Sequence, residues 1–443
     1  MATPKRGLPA WNMLQCDGNM MTLKRSLHSS VVYEDAMYVF GGSSNKSVGV
    51  NQYSFAERRW ETHAPVGAAP ECLWGHTAIT WNGGMFIFGG CSQDGRTSNR
   101  IYCFDLASKQ WSEVHACDSV MPLSRSGHSA LLLEGTSTML VFGGEHQPNH
   151  PLLNDLWLFD FSTCKWQQPS WNGLVPRGRK HHTAVQFEKN VYVFGGTDSR
   201  ATFNDFHAYD IEGRQWHAHE GGGFPPTERF GHVAVVHNRR MHVFGGLETV
   251  QMYSNAAGSS MIYPFSAGGS SGTGLGNGHS GSHAQLSQPK TNSIYFLNDW
   301  YKFSFKYGTW IRLSPNGHIP SGRWGHTALE HKGKLFILGG ANHKGCLNDM
   351  YAISLSSLSD NVLSDLSSGK LVSCSSELRD DIWDTSSATA TGSGARGEKR
   401  GLGNVYAPEG DSTEDGAMDM DQRDPAHAPP PRRSLAVRRQ AQG

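Results

Sequence analysis

Short apolar runs alternate with turn residues along most of the chain. Runs such as Met37-Tyr-Val-Phe40 and Val191-Tyr-Val-Phe194 are rich in β-branched and aromatic residues and are bounded by turn formers, which predicts strands. They are apolar almost without interruption, as expected of strands covered on both faces of their sheet. Gly pairs follow them, beginning at Gly41, Gly89, Gly143, Gly195, Gly245 and Gly339, with spacings of 48, 54, 52, 50 and 94 residues. The unit between pairs reads as four short strands, the third opening on Asn-Asp and the fourth carrying a Trp. A period near fifty built from four strands predicts an all-β, six-bladed β-propeller.

The register of the landmarks is strict. His28, His76, His182, His232 and His326 each stand 13 residues before their Gly pair, and His128 stands 15 before. Trp60, Trp111, Trp166, Trp216 and Trp310 each precede the next His by 16 or 17 residues. A Trp at this place supplies large buried surface where blades meet, and the Gly pair answers a need for positive φ or close approach. Trp11 lies 17 residues before His28, while the last repeat, Arg323 to Leu355, has three strands and no Trp. The N-terminal strand is therefore expected to complete the sixth blade and close the ring, removing an open sheet edge.

With its Gly-Gly, Asn-Asp-hydrophobic-Tyr/Trp and Trp landmarks, the chain resembles the kelch-repeat family over roughly Trp11 to Leu355. The first repeat, Lys24-Arg-Ser-Leu-His28 to Met37-Tyr-Val-Phe-Gly-Gly42, looks most like the kelch portion of the leucine-zipper-like regulator adaptors, whose BTB domain has no counterpart after Leu355. The resemblance implies a non-catalytic interaction module or adaptor scaffold that binds a partner protein or peptide. The rival reading is a metal-dependent enzyme or specifier protein acting in the channel mouth, as in other members of the family.

Composition narrows the picture. Lys+Arg and Asp+Glu both number 39, so no global field recruits nucleic acid. The eight cysteines lack CxxC spacing, and Cys91, Cys103 and Cys164 read as reduced thiols rather than as a disulfide framework. No apolar run approaches 18 residues and residues 1–10 lack an export core, so neither membrane insertion nor secretion is expected. The expected location is the cytoplasm or nucleus. Residues 1–10 are expected to be flexible. In blade five the stretch 247–295, rich in Gly and Ser, predicts a flexible excursion, and 356–443 predicts a disordered tail in which Trp383 is the one bulky anchor.

Candidate site residues follow from blade topology. The lead-in to strand one and the loop from strand two to strand three share one face of the ring. Arg25, Arg125, Arg179, Arg229 and Arg323 each sit three residues before the blade His, at that lead-in, and Leu73 replaces the arginine in blade two. Arginines at this position contact acidic peptides in kelch adaptors, so the resemblance implies an acidic or phosphorylated partner, with Trp74, Phe230 and Trp324 as apolar anchors. The alternative reading pairs each arginine with Asp155, Asp205, Asp299, Asp349 or loop carbonyls, and packs the aromatics against strand one. The blade histidines are expected to be structural, bonded to loop backbone. His217 and His219 would share one side of a strand and, like His181 with His182 and His146 with His150, look like metal pairs, but no third ligand is evident. No metal, cofactor or catalytic group is expected.

Overall fold

The computed structural model describes residues 9–18, 23–44, 49–117, 120–147, 150–254, 260–263, 291–355 and 382–384. Six four-stranded antiparallel units follow one another. Blade one is Ser29–Tyr33, Ala36–Phe40, Val50–Ser54 and Arg59–His63. Blade two is Thr77–Trp81, Gly84–Phe88, Ile101–Asp105 and Trp111–Val114. Blades three and four repeat the order from Ser129–Leu132 and Thr183–Phe187, and blade five from Val233–His237. First strands lie side by side around the axis, the sixth beside the first, so the ring is closed.

The N-terminal strand closes it. Ala10–Met13 pairs antiparallel with Met350–Ser354 of blade six, with Asn12 opposite Ala352 and Met13 opposite Tyr351. Trp11 is fully buried against Phe244 and Trp300 of blade five, ring centroids 5.5 and 5.6 Å away. Four of the other fourth-strand tryptophans repeat this contact, while Trp60 packs in a cluster with Leu338 of blade six. Trp111 meets Phe40, Trp166 meets Phe88, Trp216 meets Phe142 and Trp310 meets Phe194, each at 5.0–5.2 Å and each reaching the preceding blade. The core is thus a set of apolar layers between blades, and no blade buries its faces alone.

Blade five departs from the predicted excursion. Its second and third strands run on as Arg240–Ser254 and Thr291–Ser304, paired from Gly246 opposite Leu297 out to Met252 opposite Thr291. Leu247, Val250 and Tyr295 are buried along this arm, which gives both ends of the insertion a reason to stay extended. Ile382–Asp384, expected within the tail, pairs antiparallel with Ser293–Tyr295 on the arm. Residues 1–8, 264–290 and the rest of 356–443 lie outside the described residues, and so do the expectations made for them.

Candidate interaction face at the channel mouth

Each blade's chain turns from its outer crossing into the innermost strand at the second residue after the arginine position. That residue adopts a left-handed backbone in every blade. It is Gly75, Gly127, Gly231 and Gly325 in four of them, with φ of 60–65°, and Leu27 and His181 in the others, at 56° and 55°. The turn aims each backbone N–H at the carbonyl of the same residue in the preceding blade. Leu27 donates to Gly325, Gly75 to Leu27, Gly127 to Gly75, His181 to Gly127, Gly231 to His181 and Gly325 to Gly231, all at 2.6–2.8 Å. Six hydrogen bonds form a continuous belt around the mouth. Glycine takes this conformation without a Cβ clash, whereas Leu27 and His181 hold it at a conformational cost.

Beneath the belt lies a ring of buried histidines that lines the channel cavity. Loop backbone, the partner expected from the sequence, is met by His76 at Leu73, but it is not what the ring shares. Instead the imidazole Nε2 meets the hydroxyl that follows the histidine of the preceding blade: His76 with Ser29 at 2.7 Å, His128 with Thr77 at 2.9 Å and His182 with Ser129 at 2.8 Å. His232 meets Thr183 at 2.9 Å and His28 meets Thr327 at 3.0 Å. Burial pushes His76, His182 and His326 down to about 3, and His28, His128 and His232 well below the usual imidazole value, so the ring is neutral at physiological pH.

The five arginines are inside the protein, and this corrects their expected role as partner contacts. All have side chains with no solvent exposure. Arg179 donates to both carboxylate oxygens of Asp205 at 2.6 and 2.7 Å and to the Gly195 carbonyl at 2.8 Å. Arg125 with Asp155, Arg229 with Asp299 and Arg323 with Asp349 repeat the fork, each also reaching the first glycine of its own blade's pair. Burial opposes ionisation of Asp205 and Asp155, but the paired guanidinium outweighs it and holds both carboxyls below the usual range. In blade one Asn51 takes the aspartate position at 2.7 Å from Arg25, and burial lowers that guanidinium to about 10. The donors that would fork an acidic peptide are already used by the blades.

What the face does present is aromatic. Trp74, Phe230 and Trp324, one residue beyond the arginine position, are half-buried. Their backbones bridge to Cys91, Leu247 and Ala341, just beyond the Gly pair of the same blade, which fixes where the rings emerge. Phe230 and Trp324 lie 6.1 Å apart edge to face, and the His181 ring meets Trp324 at 6.0 Å. Trp74 stands apart in blade two. Lys180, at the same position of blade four, is buried and paired with Glu145 at 2.8 Å. The blade-five arm rises from this face, and its Phe296 reaches His343 of blade six at 6.3 Å.

The sequence reading missed a further apolar set. Val66, Val120, Met121, Leu123, Leu174, Phe224 and Ile319 are exposed, and all seven lie on the crossings that lead into first strands. Leu174 is 69% exposed. The available signal was position: Leu174 and Phe224 follow the strand-four Trp by eight residues and Val120 and Ile319 by nine, beyond the strand end. His217 and His219 do not converge, whereas the His146 and His150 rings lie 6.1 Å apart. His217 is exposed, whereas His219 lies past the end of Gln215–Ala218 and packs on Phe206 and Phe303. Among the described residues no three His, Cys, Asp or Glu side chains converge as a metal requires.

This geometry is that of a kelch-repeat propeller, and the comparisons agree. The KLHDC2/KLHL20/DRC7 Kelch-repeats domain matches residues 8–120 and 94–259, more than half of the chain, and the chain belongs to the kelch-repeat family. Among curated proteins it is 29% identical to Kelch domain-containing protein 3 of Bos taurus over 192 residues, 40% of this chain and 50% of that protein. It is 29% identical to acyl-CoA-binding domain-containing protein 4 of Arabidopsis thaliana over 191 residues, 40% of this chain and 28% of that one. It is 28% identical to tip elongation aberrant protein 1 of Schizosaccharomyces pombe over 207 residues, 44% of this chain and 18% of that one. The chain thus spans half or less of the length of these relatives. The solved structure of YjhT shares the fold, with a TM-score of 0.52 at 15% identity, covering 75% of this chain and 93% of that one.

Proposed function

We propose that this chain is a non-catalytic adaptor module that holds a partner protein on the face around the channel mouth. The observation that carries this reading is the half-buried Phe230–Trp324 pair with His181 beside it, flanked by the exposed apolar crossings. Aromatic side chains held rigid and half in solvent are the usual energetic anchors of protein interfaces. The ionisable groups of the mouth point the same way. Five of the histidines are tied to hydroxyls and four of the arginines to aspartates, so acid–base chemistry would have to break the scaffold. The partner inserts apolar side chains between the blade-five arm and Trp74, and charge plays a secondary part.

The test is affinity purification of the full chain from cells beside its Phe230→Ala/Trp324→Ala variant, after matching their melting temperatures. Loss of most co-purifying proteins from the variant supports the reading. An unchanged set would move the recognition surface elsewhere.

A further inference from the structure

At several blade junctions the crossing that leads into a blade lies along that blade's outermost strand. One crossing residue donates its N–H to the carbonyl of the left-handed residue in the third-to-fourth turn. The pairs are Asp17 to Arg58 at 3.1 Å, Cys117 to Cys164 at 2.8 Å, Asn172 to Arg214 at 3.1 Å and Gly222 to Gly308 at 2.8 Å. The acceptors have φ of 56°, 53°, 50° and 62° in the same order, so the four turns share one geometry. This repeated site holds oppositely charged side chains before blade one. Before blade three it holds two cysteines.

We propose that Cys117 and Cys164 form a reversible disulfide that fastens the crossing out of blade two to the outer edge of blade three. A backbone hydrogen bond of 2.8 Å limits the two Cα atoms to roughly 6.5 Å, inside the span of about 4.4–6.8 Å that a disulfide bridges. Both side chains are free thiols, carried on the two backbones that this hydrogen bond joins. Cys117 is exposed, while Cys164 is partly covered and its thiol is pushed up by burial and by the Cys117 sulfur. Of the five other described thiols, Cys91 is buried in the second-to-third loop of blade two, Cys103 is on its third strand, and Cys16, Cys72 and Cys346 lie in blades one, two and six or on their lead-ins.

The co-reactant is a small disulfide of the oxidised glutathione class. The Cys117 thiolate attacks one of its sulfurs, forming a mixed disulfide and releasing one thiol. The Cys164 thiolate then attacks the Cys117 sulfur and releases the second thiol. Two protein thiols are oxidised, one small disulfide is reduced to two thiols, and the two protons given up by the cysteines end on the two released thiolates, so no net proton is released. The product fixes the crossing that carries the exposed Val120, Met121 and Leu123.

Peptide mapping of the full chain under non-reducing conditions, after incubation with oxidised glutathione, tests this. The expected product is a linked pair of peptides containing Cys117 and Cys164, lighter by two hydrogens than the separate peptides. The oxidised chain should melt about 5 °C or more above the reduced chain. The Cys117→Ser variant should lose both signals while melting like the reduced wild type. Glutathione retained on Cys117, linkage to another cysteine, or a linked product without a raised melting temperature would each overturn the proposal.

Discussion

Arg179 and Asp205 share two hydrogen bonds of 2.6 and 2.7 Å, and the guanidinium has no exposure to solvent. The pair ties the lead-in of strand one to the start of strand three within blade four, and the Gly195 carbonyl completes the arginine's bonding. Removing the carboxylate leaves the buried Arg179 guanidinium uncompensated, whereas Asp205 is 40% exposed and keeps His207 at 2.9 Å when the arginine is removed. Asp205→Ala is therefore expected to cost about 3–5 kcal/mol, and the Arg179→Ala/Asp205→Ala double variant less than the two single losses combined. Denaturant unfolding checks this, since an arginine kept for partner contact would leave stability almost unchanged.

Most of the fold was legible in the sequence. Trp11 at the common Trp-to-His distance announced the closing strand, and Ala10–Met13 completes blade six accordingly. The role of the arginines was legible only in part, because the same residue pattern serves a recognition ring and a buried scaffold. The signal separating them lay in blade two, where Leu73 replaces the arginine and Arg100 replaces the aspartate. Both members of the pair depart together, as a structural pair would. The histidine partners were not legible, since four of the bonds join residues 47 to 53 positions apart, the fifth joins His28 to Thr327 across the ring closure, and all depend on which strand neighbours which. The blade-five arm was not legible because Gly and Ser dominate the middle of the insertion, while its ends, Leu247 to Ser254 and Thr291 to Phe296, carry no strict alternation.

His326 supplies a second prediction. Val233 stands where the other blades place Ser or Thr, so no hydroxyl reaches the His326 Nε2. Val233→Thr restores the acceptor found at 2.9 Å in the blade before. A gain of about 1 kcal/mol is expected, seen as a raised melting temperature that vanishes when His326 is also replaced by Ala.

Acid sensitivity follows from the histidine ring. An unfolded imidazole takes up a proton near pH 6.5, whereas burial in the ring delays this to about 3 for His76, His182 and His326. Between those values the unfolded chain binds more protons. Stability is therefore fully present above about pH 6.5 and is lost as pH falls toward 3, by about 1.4 kcal/mol per unit for each such histidine. Melting temperature measured from pH 7.5 to 5 should fall steeply, and a flat profile would contradict the neutral buried ring.

The closing strand gives a fourth. Trp11→Ala removes the fully buried indole between blades five and six and should cost about 3–5 kcal/mol. Unchanged thermal unfolding would show that the ring does not depend on its N-terminal strand.

The central claim is that the aromatic mouth, and not the arginine ring, carries recognition. With a partner recovered from cells and purified, the measurement is its dissociation constant for the full chain and for Phe230→Ala/Trp324→Ala at low and high salt. The account predicts at least about tenfold weaker binding for the variant, as anchor removal produces, and a wild-type constant that changes little with salt. A variant that binds like wild type, with wild-type affinity collapsing as salt rises, would contradict it.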